Sequence, residues 1–318
     1  MAVKRLLASA RATGLLDDGW LAVAVSGGGD SLALAAAAAY LAAKEDLRVR
    51  GLIVDHQLQE NSAGVAAGAK RQLDELGLAE TRILTVDVTG SGGIEAAARR
   101  ARYTALREAG NTLVLLGHTL DDQAETVLLG LGRGSGPRSI AGMRALDPPW
   151  GRPFLDIPRQ VTLAACARLG IQPWHDPHNI DARFTRVRLR AEVLPLLEDV
   201  LNGGVAPALA RTAKQLREDA DALDDWAAKV AGQLIESELT SVPVPALTGL
   251  PVAVRRRVVR LWLLAAGVAE LTDAQLRAVD ELLVNWRGQG GVWLPGGLVV
   301  RRVHGRLHLD VGVTAAER

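Results

Sequence analysis

From the N-terminus to about residue 133, short apolar runs alternate with longer segments whose apolar positions recur every three or four residues. The runs 21–25, 49–54, 81–86 and 112–116 read as strands, and 32–44, 63–76, 95–109 and 122–131 read as helices. Largely apolar strands separated by helices predict a parallel sheet covered on both faces, a doubly wound α/β domain. Ligands of such sheets collect beyond the carboxyl ends of the strands, where Ser26, Asp55 and Gly117 fall. A stretch rich in Gly and Pro, 132–158, interrupts the pattern. Helical periodicity resumes at 159–169, 189–197, 205–234, 252–266 and 273–286. The tail, 291–310, carries two alternating runs around Gly296-Gly297 and Gly305, the pattern of a short β-hairpin. The expectation is a doubly wound domain over 1–203 and a smaller, mainly helical domain over 204–318, divided at Asn202-Gly203-Gly204.

The length of 318 residues fits two domains and a large core. A formal charge of +1 means that any surface for nucleic acid must be local. Cys166 is the single cysteine and sits in the apolar segment 163–169, which excludes a disulfide framework and any metal site built of several thiolates. Residues 1–20 carry Lys4, Arg5 and Arg11 and read as an amphipathic helix, not a signal peptide; the alanine-rich stretch 32–43 is too short to span a bilayer. These features predict a cytoplasmic protein with no membrane partner.

The first strand runs directly into Ser26-Gly27-Gly28-Gly29-Asp30-Ser31 and then a helix. Glycines let the backbone approach an anion, and the free N–H groups at a helix start point at it. An ordinary turn needs neither Ser26 and Ser31, which suit phosphate, nor Asp30, which suits Mg²⁺. No lysine follows the last glycine, so this is not a Walker loop, nor is it a dinucleotide fingerprint.

A second constellation, His118, Asp121, Asp122 and Glu125, begins at the end of the fourth strand, with Asp121 and Glu125 on one helical face. Acids favour any helix start, but a histidine with three carboxylates beside the glycine loop suggests chemistry. Arg99 and Arg102, with Glu95 four residues before Arg99, are spaced to hold phosphate, and Asp55-His56 ends the second strand. Two arginine clusters, Arg183, Arg186, Arg188 and Arg190, and then Arg255, Arg256, Arg257 and Arg260, could touch RNA or be ordinary solvated helix faces.

The Ser-Gly-Gly-x-Asp-Ser loop resembles that of the ATP pyrophosphatases, the PP-loop family. The series that follows it comprises Val54-Asp55-His56, Glu95 to Tyr103, Gly117-His118 with Asp121 to Thr126, Arg133-Gly134-Ser135-Gly136, Gly142-Met143, Arg152-Pro153-Phe154, Asp176-Pro177 with Asn179, and Arg188 to Pro195. Over about the first 200 residues this series is similar to the bacterial tRNA(Ile)-lysidine synthetases. The remainder is similar in size and helical character to that family's first C-terminal domain, and the second such domain of its longer members is not expected. One departure is Arg186-Val187, where the family usually has Arg-Asn.

The resemblance implies an AMP-forming ligase that adenylates the wobble cytidine of an isoleucine tRNA with a CAU anticodon and then attaches free lysine. ATP would lie on Ser26, Gly27, Gly28, Gly29, Asp30, Ser31, Asp55, His56, Arg99 and Arg102, with Mg²⁺ on Asp30. Asp121 and Glu125 would bind lysine, and His118 or Asp122 would handle the proton. A homodimer is left open. The rival readings are a tRNA-thiolating PP-loop enzyme, which the lone cysteine opposes, and an RNA-binding module that senses nucleotide without catalysis.

Overall fold

The computed structural model describes residues 1–16, 18–59, 61–89, 93–110, 112–134, 136–174, 176, 181–235 and 239–312. They form two compact units, Met1–Leu216 and Arg217–Arg318. The first contains α1 (Ala2–Arg11), β1 (Trp20–Val25), α2 (Gly29–Glu45), β2 (Arg48–Asp55), α3 (Ser62–Glu75), β3 (Glu80–Thr85), α4 (Ile94–Gly110), β4 (Val114–Leu115) and α5 (Leu120–Arg133). It continues through α6 (Pro137–Ile140), β5 (Leu146–Asp147), β6 (Trp150–Gly151), α7 (Arg159–Arg168), α8 (Thr185–Arg188), a π-helical turn at Leu189–Val193, α9 (Leu194–Val200) and the start of α10 (Val205–Ile235).

The sheet order is β3-β2-β1-β4-β6-β5, parallel except for the β5–β6 pair. Alternate β1 residues serve opposite cores. Leu21, Val23 and Val25 pack with residues of α1, α2, α3 and α7, whereas Ala22 and Ala24 pack with Leu106, Val114, Leu116 and Trp150. Apolar side chains on both faces are what a doubly wound sheet requires. The chain leaves β1 towards β2 and β3, then returns to β4 on the other side. The loops after β1 and β4 therefore flank the crevice at the point where strand order reverses.

The second unit contains β7 (Ser241–Pro243), α11 (Val244–Thr248), α12 (Val252–Ala265), α13 (Asp273–Val284), β8 (Val292–Leu294), β9 (Leu298–Val303) and β10 (Arg306–Val311). The expected hairpin is present as β9 and β10, turning at Gly305 with φ +77°, and it belongs to a four-stranded antiparallel sheet ordered β7-β10-β9-β8. Strand β7 ends at Pro243. Its edge position tolerates Pro243.

The two units divide within α10, not at Asn202-Gly203-Gly204. Val205, Ala206 and Leu209 at the start of this helix pack with Leu194 and Leu197, while Leu223, Ala227 and Ala231 pack into the second core around Trp262. Among the described residues, no single helix is long and apolar enough to cross a membrane.

Candidate active site

The glycine loop enters α2 with Gly27 in the left-handed region, φ +81°, and Gly28 as the N-terminal cap. No side chain caps this helix, so its first N–H groups are open to an anion. Ser31 is buried and holds the loop together. Its Oγ donates to the Gly28 carbonyl at 2.8 Å and accepts the Ser26 N–H at 3.2 Å. Ser26 is exposed at the loop surface.

Gly117 makes the crevice possible. A Cβ there would lie 3.0 Å from the Asp30 carbonyl oxygen and 3.1 Å from Ser31 Cα, both rigid backbone. A side chain at residue 117 would force the two backbones apart by a few tenths of an ångström. Immediately after it, Thr119 and Asp122 form a capping box: Asp122 Oδ2 accepts from the Thr119 N–H at 2.8 Å and the Thr119 hydroxyl at 2.9 Å.

Asp30, Asp121, Asp122 and Glu125 are brought into one network by two arginines, Arg159 and Arg190. Arg159 Nε lies 3.0 Å from Asp30 Oδ2, its Nη2 donates to Asp122 Oδ1 at 2.9 Å, and its backbone N–H donates to Asp121 Oδ2 at 2.8 Å. Thr162 donates to Asp30 Oδ1. Arg190 donates from Nε to Glu125 Oε1 at 2.7 Å and from Nη2 to Asp122 Oδ1 at 3.2 Å. Glu125 is fully buried, and its Oε2 accepts no hydrogen bond; Arg186 Nη1 lies 3.8 Å away.

Burial governs the electrostatics here. It pushes the carboxyls of Asp30 and Glu125 above their usual range against the pull of Arg159 and Arg190 respectively. At Asp122 burial acts the same way but is outweighed by Arg159 and the Thr119 N–H, which leave this carboxyl below its usual range. Burial, reinforced by Arg152, Arg102 and Arg99 against the opposing pull of Asp122, depresses the His118 pKa to about 3, and His118 Nδ1 has no hydrogen-bond partner.

A cavity of about 280 Å³ opens at the ends of β1 and β2, lined by Ser26, Asp55, His56, Arg102 and Trp174 among others. Asp55 is buried and accepts the Gln57 N–H at 2.9 Å. Burial and Arg102 lower the His56 pKa against the pull of Asp55, and its Nδ1 is unpartnered. Arg102 has no hydrogen bond or ion pair among the described residues, and burial and Arg99 lower its pKa. The expected arginine pair divides. Arg102 faces the cavity, whereas Arg99 stacks over Tyr103 with 4.8 Å between guanidinium and ring centre. The side chain of Glu95, together with Ser135, Pro177 and Asn179, lies outside the described residues.

Neither arginine cluster is a field of unpaired cations. Arg183 pairs with Asp181 at 2.7 Å and Arg188 with Glu192 at 2.9 Å, while Arg186 and Arg190 turn to Glu125. In the second unit, Arg255 and Arg256 share the buried Asp280 at 2.6 and 2.8 Å, and Arg257 pairs with Asp224 at 2.6 Å. Sequence reasoning missed Arg159 and Thr162 and left Arg190 between an RNA contact and a solvated helix face. The only local signal for Arg159 is its place after Pro158 at the first turn of a helix. Cys166 is buried, its thiol donates to the Gly29 carbonyl at 3.3 Å, and burial and Asp30 raise its pKa. That is a packing role, the opposite of an activated nucleophile.

Comparison with known proteins agrees with this geometry. A family described as a PP-loop domain matches residues 2–197, and one described as the TilS substrate binding domain matches residues 243–308. The tRNA(Ile)-lysidine synthase of Rhodococcus erythropolis is 59% identical over 294 residues, covering 90% of this chain and 88% of the relative. That of Mycobacterium tuberculosis is 60% identical over 281 residues, covering 86% and 84%. Among solved structures, the U34-tRNA thiolase NcsA from Methanococcus maripaludis with its [4Fe-4S] cluster superposes with a TM-score of 0.51 at 19% identity, over 63% of this chain and 72% of that one, a likeness of fold alone. Both family matches lie in the same chain, and the relatives are similar over most of their length: the chain belongs to the tRNA(Ile)-lysidine synthase family.

Proposed function

We propose that this chain uses ATP to adenylate the wobble cytidine of an isoleucine tRNA bearing a CAU anticodon and then joins free lysine to carbon-2 of that base, in the cytoplasm. The observation that carries the reading is the acidic network of Asp30, Asp122 and Glu125 set against an uncapped glycine loop. An anion-binding loop activates a phosphate, and an acidic pocket beside it collects a cationic amine.

In the first step the carbon-2 oxygen of the base bonds to the α-phosphorus, and the bond to the β-phosphate oxygen breaks with its electron pair on pyrophosphate. The backbone N–H groups of Gly28, Gly29 and their neighbours hold the phosphates, and Arg102 and His56 line the nucleotide cavity. No group of three or more metal-ligating side chains exists among the described residues. That suits Mg²⁺, which binds through one or two carboxylates plus phosphate oxygens and keeps its waters, with Asp30 as the protein ligand; bound there it would neutralise phosphate charge.

In the second step the ε-nitrogen of lysine bonds to carbon-2, and the carbon–oxygen bond breaks with its electron pair on AMP. Asp121 and the free Oε2 of Glu125 receive the lysine. An ammonium of pKa about 10.4 is neutral in roughly one part in 2,500 at pH 7, a penalty of about 4.6 kcal/mol. His118 and Asp122, both held below their ordinary basicity, are too weak to remove that proton beforehand. The minor neutral amine is the form that attacks, and His118 and Asp122 can accept the further proton that the nitrogen releases once the carbon–nitrogen bond has made it acidic. Stoichiometry tests the order of steps. Pyrophosphate release should require the tRNA, and AMP release should require lysine as well; AMP formed without lysine entering RNA contradicts the reading.

A further inference from the structure

The loop Ser26–Ser31 contains no cationic side chain, although the proposed reaction expels a polyanion from it. The structure supplies a cation from elsewhere. Helix α7 is fastened to the loop by two hydrogen bonds, from Cys166 to the Gly29 carbonyl and from Thr162 to Asp30, and Leu163 packs so near Gly29 that a Cβ there would lie 2.6 Å from its Cδ2. The first residue of that helix is Arg159. Its backbone is anchored by Asp121, and its guanidinium bridges Asp30 and Asp122.

The Asp30 side of this bridge is half made. Nε approaches Oδ2 to 3.0 Å as an ion pair, yet it donates no hydrogen bond, and the side chain keeps 23% of its surface exposed. A cation arriving at Asp30 competes with Arg159 for Oδ2. The displaced guanidinium, still tethered beside the loop, then needs an anion.

We propose that Arg159 is the mobile cation of the phosphate site: it neutralises Asp30 while the loop is empty and turns to the pyrophosphate group when a divalent metal takes Asp30. The exchange leaves every charge paired. Arg102 does not substitute for it, since it lines the cavity at β1 and β2 and makes no ion pair with Asp30 among the described residues. The bidentate fork of arginine fits a phosphate oxygen pair, as it fits a carboxylate.

This inference rests on the ATP-splitting reading, but its test needs neither tRNA nor lysine. Two titrations on the full chain, wild type and Arg159→Gln, measure the Kd of Mn²⁺ alone by electron paramagnetic resonance and of inorganic pyrophosphate at saturating metal by calorimetry. The variant should bind Mn²⁺ about tenfold tighter and pyrophosphate about tenfold weaker, the scale of one charge-assisted hydrogen bond. A merely structural residue would not move the two constants in opposite directions. Adding Asp30→Asn should erase the metal gain. If Arg159→Gln fails to fold, Arg159→Lys is read on the same titrations, with smaller shifts of the same signs. Unchanged Mn²⁺ affinity, undiminished pyrophosphate affinity, or a metal gain that survives Asp30→Asn overturns the proposal. Failure to form lysidine would overturn the proposed reaction and leave this exchange standing.

Discussion

Replacing Glu125 with Gln separates what this carboxylate does for the fold from what it does for the reaction. The side chain is fully buried, with Arg190 Nη2 2.6 Å from Oε1. Attraction between unit charges about 4 Å apart is about 4 kcal/mol at an effective dielectric of about 20. Removing a carboxylate from water costs several kcal/mol, so the two terms nearly cancel. Burial is the larger, since it holds the Glu125 carboxyl above its usual range despite Arg190.

The sign follows from linkage. A carboxyl whose folded pKa is raised contributes stability that is present below its unfolded pKa and lost as pH rises through its folded pKa. Once pH has risen through that folded pKa, therefore, the carboxylate no longer contributes this stability, and a neutral isostere should leave the fold equally stable or about 1 kcal/mol more so. Arg190 keeps Asp122 as its partner. For a unit of this size that is a rise of up to about 4 °C in Tm. The gain should vanish as pH falls and the wild-type carboxyl takes up its proton. Lysine use should suffer meanwhile, with KM for lysine up by about 10- to 100-fold from the loss of a charged acceptor, and pyrophosphate release intact. Urea melts of both proteins from pH 4 to 8, paired with the two kinetic assays, measure this. A loss above about 2 kcal/mol at pH 8 would show that the ion pair outweighs burial and refute the reasoning.

Gly117→Ala should lower stability by about 1–3 kcal/mol and impair ATP binding, because its methyl meets the Asp30 carbonyl at 3.0 Å; nucleotide titration with a thermal melt checks this, and wild-type values in both would show that the loops can part freely. His118 has a folded pKa near 3, below its ordinary value, so its contribution to stability is present above about pH 6.5 and lost as pH falls towards 3. His118→Asn should flatten the Tm profile over that window, and an unchanged profile would count against a neutral buried imidazole. Cys166→Ala should retain lysidine formation, since this buried thiol only donates to the Gly29 carbonyl; abolition of turnover in a folded variant would revive sulfur chemistry.

Much of the fold is legible because its signals are local. The alternation of apolar runs and helical periods marks β1 to β3 and α2 to α5 to within a few residues, and Gly27 announces a turn that only glycine makes easily. Strand β7 is hidden because its pairing partner, β10, lies far along the chain and its own residues include a proline. The site is half legible for the same reason. His118 to Glu125 share one helix start, so spacing alone groups them, but Arg159 and Arg190 reach them across 37 and 65 residues of sequence. Charge patterning on one helix cannot reveal that Arg186 and Arg190 point inwards to Glu125 while Arg183 and Arg188 pair locally. The domain boundary follows packing: α10 continues past the point where its apolar residues change cores.

Incubation of the protein with ATP, Mg²⁺ and labelled lysine, together with isoleucine and methionine tRNA transcripts that both carry a CAU anticodon, tests the central claim most directly. The account predicts label in the isoleucine tRNA, dependent on ATP and absent from the methionine tRNA. ATP cleavage to AMP with no lysine entering the isoleucine tRNA would contradict it.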